Sequence, residues 1–305
     1  MPELPDIEAY VGALIPRVVG RKVARVRVRS PFLVRTFDPP VEAVEGASVL
    51  AVERLGKRIV FALDSDLFMV IHLMIAGRFL WKASGALPRG KLDLAAFEFE
   101  NSGTLTLTEA SQKKRASLHV LRGRAALASQ DPGGIDVLGC TVAEFATVLR
   151  RENRTLKRRL TDPRAFSGIG NAYSDEILHE ARLSPVRLTG DLEDEEALRL
   201  LTAARAVLTT WMDRLTEQFA SRFPGVGEIT AFHPEFVVHG KFGMPCPVCG
   251  SPVQRIVHAE NETNYCATCQ TGGKVLKDRS LSRLLKEDWP RTIDDWESEF
   301  GGSQG

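Results

Sequence analysis

The 305-residue chain is 44% hydrophobic, enough for two ordinary domains with cores of their own, and its 40 basic and 39 acidic side chains leave a formal charge of +1. No apolar run approaches a membrane span and the N-terminus lacks the basic start and apolar segment of a signal peptide, so a soluble cytoplasmic protein is expected. The near balance of charge is no guide to a nucleic-acid partner, because a binding groove is made by local clustering, and here the charges are segregated.

The chain opens Met1-Pro2-Glu3-Leu4-Pro5-Asp6. Two readings of it stand side by side. Pro5 and Asp6 suit the first turn of a helix, where proline and acids are favoured. Alternatively, removal of Met1 leaves Pro2 with a secondary α-amine. An α-amine titrates near ~8 against ~10.4 for lysine, so far more of it is neutral at pH ~7. A neutral amine attacks carbonyl-like carbons to form a Schiff base, and Glu3 beside it can shuttle protons. From Pro5 the apolar residues Ile7, Tyr10, Val11, Leu14 and Ile15 recur at helical spacing, and Pro16 and Gly20 end or bend that helix. From Lys22 the period becomes two, with Val23, Val26 and Val28 among Arg25, Arg27 and Arg29. Further strands are predicted at Ile59–Leu63, Leu67–Ile75, Phe97–Phe99 and Thr104–Thr108, the last two joined by an Asn101-Ser102-Gly103 hairpin turn. The N-terminal part therefore reads as one helix feeding an antiparallel sandwich or barrel.

Ser111 to Gln130 carries Lys113, Lys114, Arg115, Arg122 and Arg124 with no acid. The texture changes at Asp131-Pro132-Gly133-Gly134, and Thr141 to Gln218 is helical in pattern, broken at Asp162-Pro163 and Gly168–Gly170. Within it, Arg150 to Arg159 gathers Arg150, Arg151, Arg154, Lys157, Arg158 and Arg159 around Glu152, while acids collect at Asp191–Glu196 and Glu287–Glu299. A charge run by itself is usually a solvated face. A Pro/Gly loop, Phe223–Gly227, leads to a cysteine-bearing module at Gly240–Gln270, a short helix at Asp278–Lys286 and an acidic tail. The expected division is 1–135 for the sandwich, 136–239 for the helical domain, 240–270 for the cysteine hairpin and 271–305 for an extension.

Cys246-x₂-Cys249 and Cys266-x₂-Cys269 are separated by sixteen residues. Each pair brackets a tight turn that points two sulfurs at one ion, and four thiolates close a tetrahedral shell, so one structural zinc is expected and no disulfide. Pro252–Tyr265 has the length of a β-hairpin. His258 is read as a hairpin residue rather than a ligand, and Cys140 as a small buried apolar side chain.

Two further stretches carry a resemblance. Phe166-Ser167-Gly168-Ile169-Gly170-Asn171-Ala172-Tyr173-Ser174-Asp175-Glu176 resembles the helix–two-turn–helix signature of the formamidopyrimidine-DNA glycosylase / endonuclease VIII family. Its glycines let backbone N–H groups approach a phosphate, and the helix after them offers its N-terminus to the anion. Pro2-Glu3-Leu4-Pro5, Lys57 within Leu55-Gly56-Lys57-Arg58, and His72-Leu73 before Gly77 resemble the same family, in order and at suitable distances. With the zinc hairpin, the likeness runs from residue 1 to about 270.

The resemblance implies an α+β fold: an N-terminal helix and antiparallel β-sandwich, then a helical helix–two-turn–helix domain ending in a zinc-binding hairpin. It implies a monomeric, cytoplasmic, nucleoid-associated enzyme of base-excision repair that acts on damaged DNA lying between its domains. The damaged nucleotide is flipped out; Pro2 attacks C1′, Glu3 moves the protons, and Lys57 holds a phosphate beside the lesion. Lys157 and Asn171 are carried over as backbone contacts, and no small-molecule cofactor beyond zinc is implied. A lyase step with β,δ-elimination accompanies base excision.

The departures bear on substrate. Thr108-Glu109-Ala110-Ser111-Gln112-Lys113-Lys114-Arg115 stands where relatives have an Asp-Pro-Arg-Arg-Phe-like loop that fills the gap left by the flipped base, so no Arg or Phe wedge is evident. Asn261 falls where a phosphate-binding arginine is usual, leaving a neutral donor, and Asp6 replaces a glutamate. Oxidised purines are the default substrate. A different lesion (a bulky adduct, a crosslink or single-strand damage) is the alternative, and a non-catalytic zinc-ribbon DNA-binding protein is a second. The pocket loop at Arg222–Thr230 carries no readable code for the base, and Trp289 and Trp296 are expected to dock on the protein itself or on a partner.

Overall fold

The computed structural model describes residues 1–258, 261–277 and 290–300. The chain divides into two compact units, one of Met1–Gly133 with Thr209–Ala231 and one of Gly134–Leu208 with the described part of Phe232–Gly305.

The first unit begins with helix α1 (Leu4–Val18). Ile7, Tyr10, Val11 and Leu14 are buried on one face, as their spacing requires, and each such side chain stabilises the fold by about 1.5–3 kcal/mol on transfer from water. The helix runs through Pro16 and stops at Val18. Eight strands follow: β1 (Val23–Val28), β2 (Val49–Leu55), β3 (Arg58–Leu63), β4 (Leu67–His72), β5 (Gly77–Lys82), β6 (Asp93–Phe99), β7 (Thr104–Glu109) and β8 (Ser117–Arg122). They form two four-stranded sheets, in the orders β1-β6-β7-β5 and β2-β3-β4-β8, with every pairing antiparallel. Phe61, Met69, Phe79, Phe97, Leu107 and Val120 meet between the sheets and α1 in one core. On the outer face of the second sheet, Val60, Phe68, Val70 and Leu121 are covered by Leu127 of α2 (Arg124–Ala128).

The spacing of Val23 and Val26, three apart in a strand of period two, has a cause in the structure. The register with β6 shifts between Val23 and Arg25, and this bulge returns both valines to the core face. The Asn101-Ser102-Gly103 turn joins β6 to β7, with Asn101 left-handed at φ 51. The run predicted as Leu67–Ile75 is shorter than expected, because β4 ends at His72. The Leu73 carbonyl accepts the Gly77 N–H, and a Cβ at Gly77 would lie 2.2 Å from that oxygen. A tight turn that only glycine can close replaces the end of the strand. The sequence reading also passed over β2, β5 and β8. The last lies inside the basic stretch Ser111–Gln130, where Leu118 and Val120 alternate inward beneath the charges.

In the second unit, α3 (Val142–Arg150) starts from a Thr141/Glu144 capping box. It is followed by α4 (Leu156–Leu160), α5 (Asn171–Glu180) and α6 (Asp194–Phe219), whose residues from Thr209 belong to the first unit. Phe145 and Phe166 pack at 4.9 Å with Leu149, Leu156 and Ile169 buried in the same unit. Strands β9 (Val253–His258) and β10 (Asn261–Cys266) pair antiparallel, and α7 (Ala267–Thr271) follows. A final helix, α8 (Ile293–Phe300), brings Trp296 to 6.3 Å from Phe242 and against Tyr265, so this tryptophan docks on its own unit. The helix predicted at Asp278–Lys286, and Trp289, lie outside the described residues. Cys140 is half-buried rather than buried. The fold is α+β, as expected.

Candidate functional site

At the chain start, Glu3 is the N-cap of α1. Its backbone N–H donates to Asp6 Oδ2 at 2.8 Å, while its side chain accepts from the backbone of Asp6. Both carboxylates are buried, at 2% and 1% exposure, and Pro2 is buried with them. Burial pulls the α-amine of Met1 below its usual value. Glu3 and Asp6 oppose that shift, while the positive charges of Arg78 and Lys57 reinforce it. The helix-start reading and the chemical reading of the first six residues are thus compatible. The capping box that begins α1 also fixes an acid beside a partly desolvated amine.

Lys57 sits at the tip of the β2–β3 hairpin, a two-residue turn with Gly56 at φ 61. Directly across the β3–β4 ladder, Arg58 faces His72. Burial, then the charges of Arg58, Lys57 and His119, push His72 down to about 4, so the ring is neutral at physiological pH. The lysine read from the sequence therefore belongs to a positive patch with Arg58, in which the half-buried histidine stays uncharged.

The segment after β7 closes on one carboxylate. Glu109 is fully buried and accepts hydrogen bonds from the backbone N–H groups of Arg115 and Ala116 and from Ser111 Oγ, all between 2.9 and 3.1 Å. Lys114 Nζ donates to the Glu109 carbonyl. Gln112, Lys113, Lys114 and Arg115 are left exposed on a loop knotted at its base. The loop at Arg222–Thr230 is anchored in another way. Phe223 packs on Tyr10 and Trp81 at 5.8 and 5.9 Å, and Arg222 pairs with both oxygens of Glu228 at 2.5 and 2.6 Å. Arg78 Nε donates to the Ile229 carbonyl at 2.6 Å. Parts of these segments border an open apolar cavity of about 620 Å³ lined by Ile75, Leu80, Leu92, Val226 and Ile229, with Arg78 and Ala110 at its wall. Sequence reasoning named Arg222–Thr230 as a pocket loop but missed the buried role of Glu109 and the other walls of this cavity. A buried acid two residues before a serine is a weak signal, and pocket walls drawn from four segments leave none.

In the second unit, Gly168 takes φ 82, which favours glycine, whereas Gly170 is extended and caps α5 through its carbonyl, which accepts Ser174 N–H at 3.1 Å and Ser174 Oγ–H at 2.6 Å. Lys157 Nζ donates to the Asn171 carbonyl and to Asp175 Oδ1, both at 2.5 Å, and Asn171 Nδ2 donates to the Glu262 carbonyl at 2.8 Å. Asn261, exposed at the start of β10, is the neighbour of that Glu262. The three residues carried over as DNA contacts are therefore joined through the α5 N-terminus and the hairpin. Asp175 Oδ2 also meets His239 Nδ1 at 2.7 Å and accepts the Asn264 N–H at 3.1 Å. Glu176 accepts the N–H groups of Val237, Val238 and His239 at 2.7–2.9 Å, while burial raises its titration point.

The Sγ atoms of Cys246, Cys249, Cys266 and Cys269 all lie within 4.8 Å of one another, with 4.0 Å from Cys246 to Cys269 and 3.4 Å from Cys249 to Cys266. Tetrahedral zinc with bonds of about 2.3 Å sets sulfurs about 3.8 Å apart, so the set fits one structural zinc with no position left open. Gly250, at φ 80, turns the first pair, and the second opens α7, where Cys269 N–H donates to Cys266 Sγ at 3.5 Å. His179 Nε2 of α5 lies 3.4 Å from Cys246 Sγ, tying the zinc centre to the helix that begins at Asn171.

Profiles of three families match the chain: the formamidopyrimidine-DNA glycosylase N-terminal domain over residues 1–115, the formamidopyrimidine-DNA glycosylase H2TH domain over 137–219, and a zinc finger found in FPG and IleRS over 243–272. The formamidopyrimidine-DNA glycosylase of Symbiobacterium thermophilum is 32% identical over 280 residues, which cover 88% of this chain and 89% of that protein. The crystal structure of MutM (Fpg) from Thermus thermophilus superposes with a TM-score of 0.74 at 33% identity, covering 88% and 98% of the two chains. A Lactococcus lactis Fpg variant in complex with Fapy-dG-containing DNA superposes with a TM-score of 0.78 at 25% identity, covering 88% and 100%.

Proposed function

Because the chain belongs to the formamidopyrimidine-DNA glycosylase family, we propose that it excises damaged bases from DNA with Pro2 as nucleophile and then cleaves the abasic strand. The observation that carries this reading is the buried Glu3/Asp6 capping box next to the buried Pro2, at a chain start where burial lowers the titration point of the Met1 amine. After removal of Met1, the neutral Pro2 nitrogen attacks C1′ of the damaged nucleotide. The new C1′–N bond forms as the bond from C1′ to the base breaks, and the base leaves with a proton. Glu3 protonates the sugar ring oxygen as the ring opens to the Schiff base, and as carboxylate it accepts a proton in the later steps. Imine formation acidifies C2′, so the 3′ phosphate and then the 5′ phosphate leave by elimination. Lys57 neutralises the phosphate beside the lesion, and Lys157, Asn171 and Asn261 meet the backbone. The zinc holds the hairpin in shape when bound and takes no part in the bond changes. In this scheme residues 1–135 are the catalytic domain, 136–239 and 240–270 bind DNA, and the protein works as a monomer.

The decisive experiment is borohydride trapping with an abasic duplex, on protein whose N-terminus is verified as Pro2. A covalent adduct is expected. Its absence would sink the Schiff-base reading and leave a DNA-binding protein on the same scaffold.

A second reading concerns the lesion. The Glu109-tied loop presents Lys113, Lys114 and Arg115 rather than an aromatic wedge, and Ala110 at its base lines the apolar cavity. An ammonium is a poorer planar plug than a guanidinium, and the one guanidinium here, that of Arg115, follows directly on the backbone N–H tied to Glu109. These features favour a lesion other than 8-oxoguanine, one carrying added apolar bulk. Product assays across duplex and single-strand lesions separate the two, with faster release of 8-oxoguanine than of any bulky base counting against the second.

A further inference from the structure

Helix α4 has two faces with different electrostatics. On one, Lys157 donates to the Asn171 carbonyl and to Asp175. The remaining basic residues surround a separate cavity of about 390 Å³, whose wall does not include Lys157. Arg159 lies at its base with 2% exposure, its Nε and Nη2 donating to the Val148 carbonyl at 3.1 and 2.6 Å and its Nη1 3.2 Å from Asp162 Oδ2. Arg154 pairs with Glu152 at 3.2 Å. Two acids therefore answer two of the four arginines that line the cavity. Arg158 and Arg164, both exposed, line the same concavity and have no carboxylate partner among the described residues. A solvated charge run on a short helix would spread its charges outward. Here a buried guanidinium fixed by a backbone carbonyl floors a hollow, and two unanswered guanidiniums converge on it.

We propose that this cavity seats a backbone phosphate of nucleic acid, held by Arg158 and Arg164 over Arg159, as a site additional to Lys157, Asn171 and Asn261. The planar fork of arginine matches phosphate oxygens two at a time. A phosphodiester supplies the charge that this lining lacks. The inference rests on the DNA-glycosylase reading and extends the backbone contacts onto the second face of α4.

The test is the salt dependence of binding to an undamaged duplex, compared for the wild-type chain, Arg158→Ala/Arg164→Ala and Arg158→Lys/Arg164→Lys. Each phosphate neutralised contributes about 0.9 to the slope of log K against log salt on B-DNA. The alanine pair is expected to lose about 0.9 from that slope, one phosphate's worth, and the lysine pair to keep it. An alanine pair with the wild-type slope overturns the proposal, as does a lysine pair that loses as much as the alanine pair, because charge would then not be the cause. Inorganic phosphate separates the sources of the ligand. If it raises the melting temperature of the wild type but not of the alanine pair, while their DNA slopes agree, the cavity takes free phosphate and the backbone assignment fails. A wild type without salt-dependent DNA binding fails the parent reading first, and is seen before any variant is compared.

Discussion

Each unit buries a pair of acids near the start of a helix, and the two pairs are used in opposite ways. Asp175 and Glu176 of α5 are answered from all sides: by Lys157, His239 and the Asn264 N–H for one, and by three successive N–H groups for the other. These bonds fasten α4, the 237–239 segment and β10 to a single helix turn. Glu3 and Asp6 bond within the first turn of their own helix, beside a terminal amine. Burial with many donors makes a fastener, whereas in the proposed function burial beside the chain's N-terminus makes Glu3 a proton-handling group.

The largest expected effect tests the N-terminal half of that contrast. Glu3→Gln keeps an amide oxygen for the cap, so the fold and lesion binding should persist while excision falls by about 10²–10⁴-fold, the usual weight of a positioned acid–base group. Single-turnover excision alongside a binding isotherm reads both. Full excision activity would remove Glu3 from the chemistry and make the two acid pairs alike.

Asp175→Ala tests the other half. It leaves the Lys157 ammonium, whose side chain is 11% exposed, without its carboxylate. Breaking such a pair costs about 3–5 kcal/mol. The urea midpoint for zinc release, which reports on the second unit, should drop accordingly. A variant as stable as wild type but unable to bind DNA would place Asp175 with the contacts rather than the fasteners.

How much of this was legible in sequence differs by region for physical reasons. The zinc centre could be read outright, because two C-x₂-C turns point four sulfurs at one place whatever surrounds them. Helix α1 was legible because its apolar period matches its buried face. The strand β8 was not, since its inward Leu118 and Val120 lie among charges that dominated the reading. Pro2, Glu3 and Lys57 carried meaning only through their likeness to a family, because neither a Met-Pro start nor a Lys-Arg pair is chemically specific alone. Glu109 and the Asp175–His239 contact escaped because their partners are supplied by folding: a loop that turns back on itself, and a histidine 64 residues away. Lys157, singled out as a backbone contact, is held by an acid that the sequence reading had treated only as part of a motif.

The smallest expected effect sharpens the contrast through two histidines, the buried His239 and the half-buried His72. His239 lies on the Asp175 carboxylate, whereas His72 lies among Arg58, Lys57 and His119, with Asp131 acting on Arg58 from the loop after α2. Its folded-state value of about 4 is below the ~6.5 of an unfolded histidine. The unfolded chain therefore binds the extra proton first. The stability that His72 contributes is complete above pH ~6.5 and is lost as pH falls toward 4. Allowing for a ring that is only partly shielded from water, the loss between pH ~7.5 and ~5 is expected to be about 1–2 kcal/mol. Urea unfolding of the wild type and His72→Gln at the two pH values measures it, and the variant should lose less by that amount. Equal losses would show that the proton goes elsewhere and that the patch around Lys57 does not hold its histidine neutral.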